Sequence, residues 1–253
     1  MRVLVTRPQP QADEWVARLR GAGVPDAVAL PLIDIAPPAD PSLVDAAWAE
    51  VGLMDLVVFV SPNAAERFFE RRPAGRRWPE GVLAGAPGPG TARVLERLGV
   101  PAQQCVEPAA DAPQFDSQAL WAVLESRRDW SGAQVIVVRG DGGREWLAQT
   151  MRARGAAVRH VAAYRRRPPE WSPERQALLD EAMAAPADHL WFFSSSEAID
   201  HLAAATSAGW ERSLALATHP RIADRARGLG FGVVREAAPM LAAVRACIQS
   251  FEP

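Results

Sequence analysis

The sequence predicts an α/β protein of two similar domains, each a parallel sheet flanked by helices, joined by a two-stranded antiparallel linker. Three observations carry that prediction. Short aliphatic or β-branched runs alternate with amphipathic helical segments along the whole chain. The two halves repeat one another at a nearly constant spacing. The turns between each run and the following helix are built from Ser, Thr, Gly and Pro, which start helices.

Val3-Leu-Val5 is a short β-branched run, and after Thr6-Arg7-Pro8 the residues Ala12, Trp15, Val16 and Leu19 recur at helical spacing until Gly21 and Gly23. Val28 to Ile35 reads as one strand leaving the local unit at Pro37-Pro38. Leu43 to Val51 is helical, Leu56 to Val60 a buried strand, and Ser61-Pro62-Asn63 opens a helix over Ala64 to Glu70. A proline just inside a helix behind a serine N-cap needs no N–H of its own. Val82 to Ala86 is a strand, and Gly88-Pro89-Gly90-Thr91 leads into a helix ending at Leu98-Gly99. Then follow helix Ser117 to Ser126, strand Gln134 to Val138, a turn from Arg139 to Arg144, and helix Glu145 to Arg154. After the arginine-rich stretch Val158 to Pro169 come helix Pro173 to Met183, strand Leu190 to Phe193, helix Glu197 to Ala204, strand Leu214 to Ala217, helix Arg221 to Arg227, strand Gly232 to Arg235 and helix Met240 to Ile248. Short strands alternating with helices imply parallel sheets with right-handed crossovers.

The repeat bears on the domain count. Val3 to Arg7 matches Val135 to Arg139, and the helices that follow stop at Gly23 and Gly155, both at an offset of 132 residues. Asp55 to Ser61 matches Asp188 to Ser194 at 133, and Ala92 to Gly99 matches Ala223 to Gly230 at 131. Two α/β units follow, each within the size a single core supports, about 100 to 150 residues. The repeat pairs Pro31 to Pro38 with Val161 to Pro169, both closing on two prolines. If both are linkers lying side by side, the chain crosses twice and one domain is discontinuous. A simple tandem of residues 1–130 and 131–253 is the alternative.

Composition excludes several chemistries. The 28 basic residues against 30 acidic ones give a formal charge of −2, which argues against a general nucleic-acid or membrane-surface binder. All 28 are arginine. Without lysine there is no Schiff-base residue for pyridoxal phosphate and no phosphate lysine for a Walker-type site. Arginine remains, a permanent charge that pairs bidentately with carboxylate or phosphate. Cys105 and Cys247 fit no metal or CxxC spacing and read as reduced thiols. His160, His189, His201 and His219 have no ligand spacing, so a metal site is not expected. The apolar run at Val3 is too short for a signal peptide, and no stretch approaches the ~18 residues of a membrane span. A cytoplasmic monomer acting on a small molecule is expected, with no nucleic-acid or membrane partner.

Ligands of α/β proteins sit at the carboxyl edges of parallel strands. The turns there offer Thr6 and Arg7, Ser61 and Asn63, Thr91, Arg139 and Gly140, Ser194 and Ser195, and Thr218 to Arg221. Hydroxyls and backbone N–H groups at helix N-termini attract anions, although a Ser or Thr there also serves simply as a cap. Several such turns interleaved with arginines suit a ligand with many negative groups. Gly88-Pro89-Gly90 is not a dinucleotide fingerprint, and the serines at 194–196 sit in no GxSxG elbow. Tyr164, the single tyrosine, is a potential proton donor; the blander reading is a half-buried tyrosine with its hydroxyl in water.

Taken together, Val3 to Pro8, Val58 to Asn63, Gly88 to Ala92, Arg139 to Glu145, Tyr164 with its flanking strand, and Phe192 to Ser196 resemble the uroporphyrinogen-III synthase family over essentially the whole length. The resemblance implies a domain of residues 1–35 and 169–253, an inserted domain of 40–160, and linkers at about 32–39 and 161–168. It implies a polyanionic substrate, the linear tetrapyrrole hydroxymethylbilane, closed with inversion of its last ring and loss of water, without metal or cofactor, in haem biosynthesis. It implies that Tyr164 assists departure of the substrate hydroxyl, and that Ser61, Thr91 and Ser194 hold substrate. Where the family has a Gly-Pro-Thr-Thr-Ala type turn, this chain has Thr218-His-Pro-Arg-Ile-Ala223, which puts Arg221 in place of threonine hydroxyls. A non-catalytic binding protein for a small polyanion, and a nucleotide-sugar transferase lacking a recognisable nucleotide motif, are the alternatives.

Overall fold

A computed structural model describes residues 1–206 and 209–251. In chain order the elements are β1 (Arg2–Val5), α1 (Gln11–Gly21), β2 (Ala27–Ala29), β3 (Asp34–Ala36), α2 (Ser42–Glu50), β4 (Leu56–Phe59) and α3 (Pro62–Phe69). There follow β5 (Leu83–Gly85), α4 (Pro89–Arg97), β6 (Cys105–Val106), α5 (Ser117–Glu125), β7 (Gln134–Gly140), α6 (Trp146–Ala153) and β8 (Ala157–Arg167). The chain closes with α7 (Pro173–Ala184), β9 (His189–Phe193), α8 (Ser196–Ala205), β10 (Leu214–Ala217), α9 (Pro220–Leu229), β11 (Val233–Glu236) and α10 (Leu241–Gln249).

Two compact units result, one of Met1–Ile35 with Arg167–Pro253 and one of Ala36–Arg166. The chain leaves the first unit within β3 and returns to it at the end of β8. The first sheet runs β2-β1-β9-β10-β11, every pair parallel. The second runs β3-β8-β7-β4-β5-β6, parallel throughout from β8 to β6. Strand for strand, β2-β1-β9-β10-β11 corresponds to β8-β7-β4-β5-β6, the correspondence given by the sequence offsets. The matched helix-ending glycines share a backbone as well: Gly23 and Gly155 have φ of 88° and 86°, Gly99 and Gly230 of 94° and 105°. These left-handed positions end a helix without the cost that a Cβ would add.

Each sheet is covered on both faces, which is why its central strands are apolar on successive residues rather than alternately. In the first unit Val3, Val5, Leu190, Phe192 and Leu216 pack on Trp15, Val16 and Leu19 of α1 and on Val244 and Ile248 of α10. The opposite face, Leu4, Trp191, Phe193 and Ala215, packs on residues of α7, α8 and α9. In the second unit Leu56, Val58, Val135 and Val137 meet Leu120 and Leu124 of α5 and Leu147 and Met151 of α6. Phe59, from the other face, meets Phe68 and Trp78 at centroid distances of 5.5 and 6.0 Å. Trp48 of α2 stacks on Phe68 at 4.8 Å, and its Nε1–H donates to the Phe68 carbonyl at 2.7 Å. A buried indole keeps its partner because leaving that N–H unpaired would cost about 1–3 kcal/mol.

Four details differ from the sequence expectation. The single strand expected over Val28 to Ile35 is two strands, β2 and β3, separated at Leu30 to Ile33. Pro31 has no N–H, so only Leu30 and Leu32 bond to the end of β1, to Val5 and Thr6 carbonyls. β6 is two residues long, too short to produce a periodicity, and is defined only by its pairing with β5. The expected linker strand also belongs to the second sheet: β8 pairs with β7 in parallel as far as Tyr164 opposite Gly140. Arg139 and Gly140, expected in a turn, are the last two residues of β7.

Candidate functional site

The carboxyl edge of the second sheet places the ends of β8, β7 and β4 side by side. Between β7 and β8 the register runs regularly from Gln134 opposite Ala157 to Arg139 opposite Ala162, then skips, so that Gly140 faces Tyr164 and Ala163 is the extra residue. This is a β-bulge, and because side chains alternate with a period of two, one extra residue exchanges which side chain stands opposite Gly140. The Tyr164 ring lies against the bare Gly140 backbone. A methyl group on Gly140 would stand 3.0 Å from both Cε2 and Cζ of the ring and 3.4 Å from its oxygen. The Asp141 N–H donates to the Tyr164 carbonyl at 3.0 Å and fixes the strand end.

Crossing Gly140, the Tyr164 hydroxyl reaches Ser61 Oγ at 3.1 Å, just beyond β4. Ser61 is the N-cap of α3, and its Oγ accepts the Ala64 N–H at 3.1 Å. Tyr164 is only 4% exposed, while Ser61 is half-buried. The sequence reading of a tyrosine hydroxyl in water is thus corrected: the ring is buried and the hydroxyl is paired. The next helices along the edge begin alike. Pro89 opens α4 behind Gly88, with Thr91 buried in the first turn, as Pro62 opens α3 with Asn63 buried beside it.

Arg139 joins two residues that sequence reasoning did not single out. Its Nη1 lies 2.5 Å from Glu145 Oε1, and His160 Nε2 is 3.4 Å from Glu145 Oε2. The hydrogen bond from Arg139 holds the Glu145 carboxyl below its ordinary range. Burial, and after it the charge of Arg139, holds the His160 imidazole below its ordinary value, against the opposing pull of Glu145. His160 Nε2 is buried without a hydrogen-bond partner, since the Glu145 oxygen is near but not in hydrogen-bonding geometry. The three come together only because β7, β8 and the start of α6 are neighbours; Glu145 and His160 carry no spacing signal.

On the carboxyl edge of the first sheet the expected residues divide. Thr6 is 1% exposed, and both its N–H and its hydroxyl donate to the Phe192 carbonyl, at 3.3 and 2.9 Å. Its hydroxyl ties β1 to β9. Arg7 stands over the Trp15 and Phe192 rings, at 5.2 and 6.0 Å to their centroids. Ser195 caps α8, accepting the Glu197 N–H at 3.2 Å, with Ser194 just before it. His219 caps α9, its Nδ1 accepting the Arg221 N–H at 3.1 Å, and the Arg221 guanidinium folds back beside the imidazole at 3.4–3.5 Å. Capping here has passed to a histidine. Among the described residues no group of three or more His, Cys, Asp and Glu is placed to hold a metal ion.

The family described as "Uroporphyrinogen-III synthase HemD" matches residues 13–242. The chain belongs to the uroporphyrinogen-III synthase family. Its relatives include the uroporphyrinogen-III synthases of Proteus mirabilis, 31% identical over 169 residues (66% of this chain and 80% of that protein), and of Escherichia coli K12, 33% identical over 168 residues (66% and 65%). The Synechococcus elongatus protein of that name is 30% identical over 175 residues, 68% of this chain and 63% of its own length. The matched region thus spans a little under two thirds of the E. coli and Synechococcus proteins. The fold is shared with a mutant uroporphyrinogen III synthase of the extreme thermophile Thermus thermophilus (TM-score 0.58, 18% identity, 100% of this chain and 97% of that one) and with the uroporphyrinogen-III synthetase of Helicobacter pylori 26695 (0.60, 14%, 100% of both). The uroporphyrinogen-III synthase match takes in Ser61, Thr91, Arg139, Tyr164, Ser194 and Arg221, and begins after Thr6 and Arg7.

Proposed function

We propose that this chain is a uroporphyrinogen-III synthase, a hydro-lyase that closes hydroxymethylbilane into a macrocycle with inversion of the last pyrrole ring and loss of water. The family match over residues 13–242 carries the reading. The site geometry fits it. Helix N-termini capped by Ser61, Ser195 and His219 line the carboxyl edges. They suit the acetate and propionate arms, because first-turn N–H groups and the helix dipole favour anions. Asn63, Thr91 and Arg221 in the first turns of α3, α4 and α9, Ser194 just before α8, and Arg139 with Gly140 at the end of β7 are the residues we assign to carboxylate binding; Arg7 is assigned there through its charge, and Thr6 is left out.

Chemically, departure of the substrate hydroxyl leaves an azafulvene cation, which the substituted carbon of the last ring attacks to form a spiro intermediate; fragmentation and re-closure give the inverted ring. Holding the chain bent is the larger task, because proximity and orientation are worth up to ~7–11 kcal/mol. A proton donor adds a further factor. The Tyr164–Ser61 pair is the donor we assign. Both cysteines are free thiols, in keeping with a protein acting in a reducing compartment.

The test is to supply hydroxymethylbilane to the purified chain and resolve the cyclised isomers. We expect the inverted isomer to predominate. Tight binding of the tetrapyrrole with only the non-inverted isomer formed would leave a binding protein instead.

A further inference from the structure

The hydroxyl pair at the end of β4 and β8 has an orientation that separates the two partners. Ser61 Oγ already accepts the Ala64 N–H, and its distance of 3.1 Å from the Tyr164 oxygen makes it that hydroxyl's partner too. A serine hydroxyl accepts two hydrogen bonds and donates one. If Tyr164 donates inward, both acceptor positions of Ser61 are filled and its own hydrogen is left to point outward from the sheet edge. Exposure selects that arrangement: Tyr164 is 4% exposed and pressed on Gly140, whereas Ser61 is half-buried at the mouth of α3.

Resting on the synthase reading above, we propose that Ser61, backed by Tyr164, is the group that touches the substrate's leaving hydroxyl, and that Tyr164 is a positioning residue acting through it. The carbon–oxygen bond of the hydroxymethyl group breaks with its electron pair going to oxygen. That oxygen takes the Ser61 proton and leaves as water, while the neighbouring pyrrole nitrogen supplies electrons to the carbon. Ser61 recovers a proton from Tyr164, whose phenolate then faces the cation. When the ring re-closes, the carbon that forms the new bond releases its hydrogen as a proton, which returns to the pair. No other reactant is consumed. The position of Ser61 at the N-terminus of α3 assists, since the positive end of a helix stabilises negative charge developing on Oγ.

The relay makes a claim that independent roles would not. Ser61→Gly keeps the helix start, because glycine at an N-cap costs only a few tenths of a kcal/mol relative to serine. Tyr164→Phe keeps the ring on Gly140. We expect each to lower kcat by about 100-fold, the low end of what a positioned proton donor supplies, with KM little changed. The double variant should be no slower than the slower single variant, since residues acting as one unit do not lose rate twice. Rates of inverted-isomer formation are measured for the wild type and the three variants, with melting curves to confirm folding. Multiplied losses in the double variant, or a full kcat in Ser61→Gly beside a slow Tyr164→Phe, overturn the relay alone. A wild-type chain that forms no inverted isomer overturns the synthase reading and the relay with it.

Discussion

Replacing Gly140 by alanine tests the seat of Tyr164 with one methyl group. The new carbon would stand 3.0 Å from Cε2 and Cζ of the ring, against an ordinary carbon–carbon separation of about 3.5–4.0 Å. The ring therefore has to retreat by about 0.5 Å or more, or β7 has to move away from it. The Tyr164–Ser61 separation of 3.1 Å already lies past the usual hydroxyl–hydroxyl range of about 2.5–3.0 Å, so little displacement is tolerated before the bond is lost. Overpacking of this kind costs about 1–3 kcal/mol of stability. Losing a hydrogen bond worth about 0.5–1.5 kcal/mol lowers kcat by about 2- to 13-fold if the bond acts in the rate-limiting step. The assay is the initial rate of inverted-isomer formation across substrate concentrations, for Gly140→Ala in the wild-type and the Tyr164→Phe backgrounds, with melting temperatures alongside. We expect the kcat loss in the first background and almost none in the second, where there is no hydroxyl to displace. An equal loss in both backgrounds, or a change in KM alone, would refute the reasoning.

Further outcomes follow from Thr6, His160 and Glu145. Thr6→Val should lower stability by about 1 kcal/mol, the worth of its hydroxyl bond to Phe192, and leave kcat and KM unchanged; urea unfolding and kinetics together decide it, and a raised KM at unchanged stability would return Thr6 to the substrate. His160 has its folded-state pKa depressed, chiefly by burial and then by Arg139, with Arg152 adding to the effect and Glu145 opposing it. The unfolded chain therefore takes up a proton near pH 6.5 that the folded chain resists, so stability falls as pH drops below about 6.5. His160→Asn should flatten that part of the melting-temperature profile. Glu145 works in a lower window: its depressed pKa contributes stability above about pH 4.5 that is lost below it, so the two are separable. A profile unchanged in His160→Asn would contradict the assignment.

The parts legible in the sequence were those fixed by local chemistry. Ser61 followed by Pro62 is a local signal for a capped helix start, and the offsets pairing Gly23 with Gly155 and Gly99 with Gly230 announce two units of one topology. What escaped depended on register. Tyr164 reads as half-exposed until the bulge at Ala163 sets it on Gly140, and no periodicity marks a bulge. Thr6 has the right residue type for a ligand turn, but its hydroxyl turns inward to Phe192, a partner 186 residues away. Glu145 and His160 meet across two strands and a helix start, so neither their spacing nor their types single them out. The last turn, read as giving up threonine hydroxyls to Arg221, is capped through the ring nitrogen of His219.

Uncatalysed closure of hydroxymethylbilane competes with enzymatic closure in the same vessel. The most direct measurement is therefore the fraction of inverted macrocycle as a function of protein concentration at fixed substrate. A synthase predicts a fraction that climbs from near zero without protein to near completeness while protein remains far below substrate. A fraction that stays at the protein-free value throughout, or rises only when protein matches substrate mole for mole, would contradict it.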